Sequence, residues 1–481
     1  MRWIVIAIGI AACGDNLAPR EFPPSSQFEN KCATPRTGTD PITGDKYPDT
    51  QGTLDDEKQW LRSWIHELYL WYSEVPDPDP SGYPTAIDYF DVLKTNETTP
   101  SGNPKDRFHF TYDTMAWESL SLSGVEAGYG ARWAVIQPRP PREVVVAYTD
   151  PGTPAAAQLA RGAEVLSVDG VDMINGDDVD TLNAGLFPAA SGESHTFVVQ
   201  DVGAPAPRTI TLVSADVTST PVQNVKTLAN GEVGYFQFND HILTAESELS
   251  DAIAQLEQAG VKDLVIDLRY NGGGYLAIAS EVAYEIAGPA SAGKTFELTQ
   301  FNDQYPTTDP VTGEPLAPTP FYDTAVFTQG APPLPHLDLQ RVFVLTGPNT
   351  CSASEAIMNA LDGIDVQVIQ IGAITCGKPY GFYPADNCGT TYFAIQFRGV
   401  NAKGFGDYAD GFAPDCAVAD DFTHALGDPS EARLAAALQL RATGTCPAPS
   451  RRDGLVYKPE PLRSRIDLRP PASVFRVPEP R

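Results

Sequence analysis

The stretch that most constrains this chain runs from Val342 to Lys378. Val342-Phe343-Val344-Leu345 is an apolar run of the kind that forms a buried strand, and Gly347-Pro348-Asn349 breaks it. From Ala353 to Leu361 the spacing turns helical, with Ala356, Ile357, Ala360 and Leu361 on one side. The run from Val366 to Ile371 reads as a second strand, and Gly372 to Gly377 turns its end toward Lys378. Strand, helix and strand in about 30 residues make a βαβ unit, whose two strand ends lie side by side. Ser352 falls where the first strand gives way to the helix, and Lys378 follows the second strand, 26 positions on.

A helix start presents unpaired N–H groups and favours negative charge. It is a good place to form an alkoxide and to hold an oxyanion. A lysine desolvated at the neighbouring strand end loses its proton more easily and can act as general base to the serine. The same residues have a plainer reading, because Ser352-Ala-Ser-Glu355 also spells a capping box. The lysine at the second strand end is what tips the balance toward chemistry.

These segments resemble the C-terminal processing peptidases, or tail-specific proteases. That family carries a Ser-Ala-Ser-Ala-Ser-Glu type motif and a Gly-Lys motif about 25 residues further on. Position by position, the resemblance makes Ser352 the nucleophile and Lys378 the base. Asp267-Leu-Arg-Tyr-Asn271-Gly-Gly-Gly274 matches the family's Asp-Leu-Arg-x-Asn-x-Gly-Gly segment, and by resemblance the Gly273 and Ala353 amides form the oxyanion hole. The three motifs come in the family's order, and the resemblance covers roughly residues 55 to 445. One position departs from it: many members carry Gln four residues after the lysine, where this chain has Phe382. The resemblance implies a serine endopeptidase acting on polypeptides, with no cofactor. A non-catalytic peptide-binding protein is the alternative that Phe382 favours. Acyl-CoA chemistry on a crotonase-type core is a weaker one, against which the Ser/Lys pair argues.

Composition narrows the rest. The 481 residues carry a formal net charge of −29, which argues against a nucleic-acid partner, since there is no basic patch to displace phosphate counterions. Met1-Arg2 and the ten apolar residues Trp3 to Ala12 form a signal sequence too short to span a bilayer. Ile10-Ala11-Ala12-Cys13 resembles a bacterial lipoprotein box. Cys13 is therefore the expected lipidation site, the membrane partner is the lipid anchor alone, and the periplasmic face of the outer membrane is the expected location. Six further cysteines suggest disulfides in an exported chain. Cys376–Cys388 and Cys416–Cys446 are the expected pairs. No Cys-x-x-Cys, His-Glu-x-x-His or calcium-loop spacing occurs, so no metal is expected. Asn271-Gly-Gly-Gly274 lacks the following Lys-Ser/Thr of a P-loop. His241 could support a Ser-His variant, although a lone histidine without a fixed Asp partner reads as structural.

The expected fold class is α+β / α/β and multidomain. A signal peptide (1–12) and a lipidated flexible tether (13–52) precede an N-terminal helical region (53–119), where Trp60, Trp64, Leu68 and Trp71 recur at helical spacing. Residues 120–217 read as a PDZ-like β-rich domain. Its features are Ala127-Gly128-Tyr129-Gly130, Pro151-Gly-Thr-Pro-Ala155-Ala156 and the strand-and-turn from Arg161 to Gly170. In that fold a peptide adds as a strand beside the glycine loop, so Gly128, Tyr129 and Gly130 are the expected substrate-binding residues. A ClpP/crotonase-like ββα protease core (218–446) follows, with a Pro- and Thr-rich insertion (293–335) expected to form a surface flap. The tail (447–481) has no core periodicity and is expected to be disordered.

Overall fold

The computed structural model describes residues 21–447 and the pair 476–477. The expected signal sequence, Cys13 and nearly all of the C-terminal tail lie outside the described residues. The fold is a mixed helix-and-sheet, multidomain one.

The central element is a six-stranded sheet. Its strands lie in the order Val222–Leu228, Val233–Phe238, Asp263–Asp267, Arg341–Thr346, Gln367–Gly372 and Cys416–Ala417. The first pair is antiparallel and every later pair is parallel. Residues alternate across it as a strand's period of two requires. Phe236, Phe238, Leu264, Ile266, Val342 and Val344 face the helices Ala245–Ala259, Leu276–Ala287 and Ala353–Gly363. Val233, Tyr235, Val265, Phe343 and Leu345 face the helix Ala432–Thr443. With both faces covered, the strands read as unbroken apolar runs. Arg341–Thr346 and Gln367–Gly372 pair over their whole length, down to Thr346 opposite Gly372, so the two loops that leave them emerge together.

The N-terminal region packs on the same core. Trp60, Trp64, Ile65, Tyr89, Phe90 and Phe108 are buried in it. The first helix, Leu54–Leu68, ends before Trp71, which instead sets its ring edge-on to Tyr380 at 4.8 Å. Residues 21–52 are not the free tether that composition suggested. Cys32 is joined to Cys388, Arg36 is paired with Asp49, and Ser25 binds the Glu67 carboxylate. Few apolar residues were needed, because ties distant in sequence fix the segment.

The expected Cys376–Cys388 pair is likewise corrected. Cys388 is taken by Cys32, and Cys376 bonds Cys351. Cys416–Cys446 forms as expected. Residues 293–335 are only partly a flap. Thr295–Gln300 pairs with Phe397–Val400, and Phe296, Phe321, Ala325 and Leu334 are buried.

Residues 125–218 form a β-rich unit with its own core of Trp133, Val144, Val165, Leu182, Phe197 and Leu212. Its antiparallel sheet runs Arg208–Val213, Ser194–Gln200, Glu164–Val168, Glu143–Thr149 and Ala131–Gln137, which leaves Ala131–Gln137 as an edge strand. Arg161 ties this unit to the sheet-centred core through Asp420 and Tyr270.

Candidate active site

The loop before the helix Ala353–Gly363 and the loop after the strand Gln367–Gly372 meet at one carboxylate. Glu355, fully buried, accepts from the Thr375 hydroxyl at 2.6 Å and the Gly377 N–H at 2.8 Å through Oε1. Through Oε2 it accepts from the Ser352 N–H at 3.0 Å and the Lys378 N–H at 2.8 Å. Burial pushes this carboxyl above its ordinary range, and the hydrogen bonds from Thr375, Lys378, Gly377 and Ser352 oppose the shift. Glu355 does reach back to the Ser352 amide, as in a capping box. Its wider role is to hold the serine loop and the lysine loop in one place.

Ser352 sits at the helix start with φ +57° and ψ −116°, a backbone conformation that costs a non-glycine residue energy and clusters at functional sites. Its Oγ is buried and makes no hydrogen bond among the described residues. Lys378 is fully buried. Its Nζ stands 4.1 Å from the Phe382 ring centroid and 5.1 Å from that of Phe108. Phe382, where the resembled family has Gln, is thus an aromatic wall against the ammonium position. No hydrogen bond joins Lys378 to Ser352 Oγ in this arrangement.

The glycine segment lies against the serine. A Cβ on Gly273 would stand 2.8 Å from Ser352 Cβ and 2.9 Å from the Ala353 nitrogen, and Gly273 has φ +105°. Only glycine leaves that space open. The Gly273 N–H, however, donates to Asn271 Oδ1 at 2.9 Å. The expectation that it points into an oxyanion hole is corrected to that extent: in this state the amide is held by a side chain. Ala353 is the first residue of the helix, so its N–H belongs to the unpaired donors of a helix start. Asn271 Oδ1 also takes His241 Nδ1 at 2.9 Å, and Asn271 Nδ2 donates to the Phe238 carbonyl. Burial holds the His241 imidazole down to about 3. His241 is therefore a neutral, buried support for the glycine segment, and nothing joins it to Ser352.

Three contributors escaped sequence reasoning. Arg107 donates to the Cys376 carbonyl at 2.6 Å, and Phe108 faces Lys378; both come from the N-terminal region. No local periodicity in sequence points from either residue to the site. Cys351–Cys376 joins the residue before Ser352 to the residue two before Lys378. The same two cysteines and Glu355 are the one group among the described residues close enough to hold a metal, but the disulfide leaves no thiolate to do so.

The glycine loop of the β-rich unit lies elsewhere in the chain's second core. Tyr129 is buried there, with its hydroxyl on the Gly185 carbonyl at 3.0 Å, so its side chain is not offered to a ligand. The Tyr129 and Gly130 carbonyls accept from Ala155 and Asp150. Gly128 pairs with Ala215. Ala131–Gln137 beside the loop has no second strand paired to it among the described residues.

Comparison with known proteins gives a consistent result. Residues 232–382 match the family model described as Peptidase family S41, and residues 56–112 match that of the Peptidase S41 N-terminal domain. The chain is 27% identical over 267 residues to a carboxyl-terminal-processing protease of Picosynechococcus sp., across 54% of this chain and 56% of that protein. It is 30% identical over 141 residues to the carboxyl-terminal-processing protease of Synechocystis sp., across 27% of this chain and 31% of that one. The matched part spans about half the length of the first relative, and less of the second. A solved structure of an S41 protease candidate from Bacteroides fragilis aligns with a TM-score of 0.60 at 22% identity, covering 83% of this chain and 98% of that one. That likeness bears on the fold.

Proposed function

Because the chain carries the peptidase domain of family S41 behind that family's N-terminal domain, we propose that it is a serine endopeptidase working through Ser352 and Lys378. The observation that carries the reading is the Glu355 carboxylate, whose single Oε2 binds the backbone N–H of both residues. The backbones of the two residues are thereby held at one helix start. A lysine in its neutral form takes the proton from Ser352 Oγ, and Oγ attacks the scissile carbonyl. The oxyanion gathers at the Ala353 N–H, with Gly273 leaving room for it. Lys378 returns the proton to the departing amine, and a water deprotonated by the same lysine then hydrolyses the acyl-enzyme.

Two features support a polypeptide substrate. Arg476–Val477 already pairs in parallel with Gly274–Tyr275, next to the oxyanion segment, so that backbone can take an extended chain. The open edge of Ala131–Gln137 could likewise take a substrate C-terminus as an added strand, which is the PDZ-like role expected of the glycine loop. Three disulfides fit an oxidising compartment outside the cytosol. No helix among the described residues is long and apolar enough to cross a membrane; anchorage would rest on lipid at Cys13, which lies outside the described residues.

A second reading, capture of peptides without cleavage, draws on one observation: Ser352 Oγ has no hydrogen-bonded base in this state. Incubation with an unfolded polypeptide, with fragments mapped by mass spectrometry, separates the two. The peptidase reading expects internal fragments from the natural chain and none from Ser352→Ala. Binding without fragments from either protein would favour capture.

A further inference from the structure

We propose that the Cys351–Cys376 disulfide is a positioning device for the Ser352/Lys378 pair, so that turnover depends on that bond being oxidised. The inference rests on the peptidase reading for its kinetic part.

The bond lies between the two loops that the chemistry needs to hold together. Cys351 immediately precedes Ser352, Cys376 precedes Lys378 by two residues, and the cysteines are 25 positions apart in sequence. It is a covalent tie across the gap that Glu355 spans with hydrogen bonds alone. The other contacts of these cysteines point the same way. The Cys351 N–H donates to the Asn271 carbonyl, and the Cys376 N–H donates to the Thr350 carbonyl at 3.0 Å. The Cys376 carbonyl receives Arg107. The disulfide joins the serine loop to the lysine loop, and the backbone groups beside it are hydrogen-bonded to the glycine segment and the N-terminal region. Ser352 gives the tie a task, because its φ of +57° persists only where the surroundings over-determine it.

Glu355 shows why a second tie matters. Its grip depends on charge, and burial works against the charged form. The charged group facing it is Arg107, with the Thr375 hydroxyl on Oε1. As pH falls, protonation loosens the carboxylate's hold on both amides. The disulfide does not titrate and keeps the loops together through that range. Reduction by a small dithiol breaks the S–S bond and forms two thiols, while the dithiol leaves as its own cyclic disulfide. Cys376 is partly exposed, whereas Cys351 is buried.

The test compares the full chain with Cys351→Ser/Cys376→Ser and with the control Cys416→Ser/Cys446→Ser, which opens a disulfide that joins neither the serine loop nor the lysine loop. The site variant is expected to lose on the order of 10²-fold in kcat with little change in KM. Its acid limb should move to higher pH, because Glu355 then holds the loops alone. The control should keep both properties. The natural chain should lose activity in dithiothreitol and regain it on removal of the reagent, which guards against a variant that merely misfolds. Hydrogen exchange over residues 350–356 and 374–380 supplies a readout independent of turnover, and it should quicken in the site variant. If the natural chain cuts nothing yet exchange quickens, the peptidase reading fails and the positioning role stands. Unchanged exchange, or an unchanged kcat and acid limb, would overturn the proposal. So would equal losses in the control.

Discussion

At the residue scale, the site depends on Glu355 more than its place in a helix cap suggests. Glutamine at 355 could accept through its one oxygen, but its amide would face two backbone N–H groups. Each donor left without a partner in a buried site costs about 1–3 kcal/mol. Glu355→Gln is therefore expected to lower the melting temperature and to lose kcat together, measurable by calorimetry and steady-state kinetics on one preparation. A variant that melts lower but turns over normally would confine Glu355 to a structural role. Ser352 and Lys378 were singled out in sequence by their intervals from strand and helix patterns, and Asn271 and Gly273 by the segment that resembles the family's. Phe108 and Arg107 were not, since each reaches the site from a segment distant in the chain, and no local periodicity records such a meeting. The Cys351–Cys376 pair had a signal that was passed over: the two cysteines flank the same βαβ unit as the serine and lysine.

At the element scale, the parallel strands and the helix Ala353–Gly363 were readable from runs and spacing. The helix Leu276–Ala287 was not anticipated. It is almost wholly buried, so it shows no polar face for a periodicity to reveal. It also carries two buried acids. Burial, with the neighbouring Glu246 adding repulsion, pushes the Glu281 carboxyl up to about 10 and the Glu285 carboxyl well above its usual range. Neither Glu285 carboxylate oxygen has a hydrogen-bond partner among the described residues. A folded-state pKa raised above the unfolded value means that stability is fully present below about 4.5 and is lost as pH rises through the folded value. Glu285→Gln removes the titrating group. Its melting temperature relative to the natural chain should climb steadily from pH 5 to pH 9, and a difference that stays flat across that range would contradict the assignment. The stretch 21–52 failed in the opposite way. Its Pro, Thr and Asp composition says nothing of a disulfide to Cys388 or an ion pair within the segment, and those are what order it.

At the scale of the whole molecule, three units were expected in order, and a helical region, a β-rich unit and a sheet-centred core occur along the chain. What sequence did not convey is how far they share one site. The N-terminal region supplies an aromatic wall and a guanidinium, and the β-rich unit is held to the core by Arg161 on Asp420. If the edge of Ala131–Gln137 receives a substrate C-terminus, amidating that C-terminus removes the charge it would present and little else. Amidated peptides should then show a higher KM at similar kcat, whereas equal cleavage of amide and free acid would leave the β-rich unit without a part in substrate choice.

The central claim is that Ser352 is a nucleophile activated by Lys378. It is tested most directly by intact-mass measurement of covalent labelling with a serine-directed fluorophosphonate. The account predicts a single adduct on the natural chain, mapped to Ser352. It predicts no adduct on Ser352→Ala, and labelling slowed by on the order of 10³-fold in Lys378→Arg, whose guanidinium cannot accept the proton. A natural chain that takes no label, or a Lys378→Arg variant that labels at the natural rate, would contradict it.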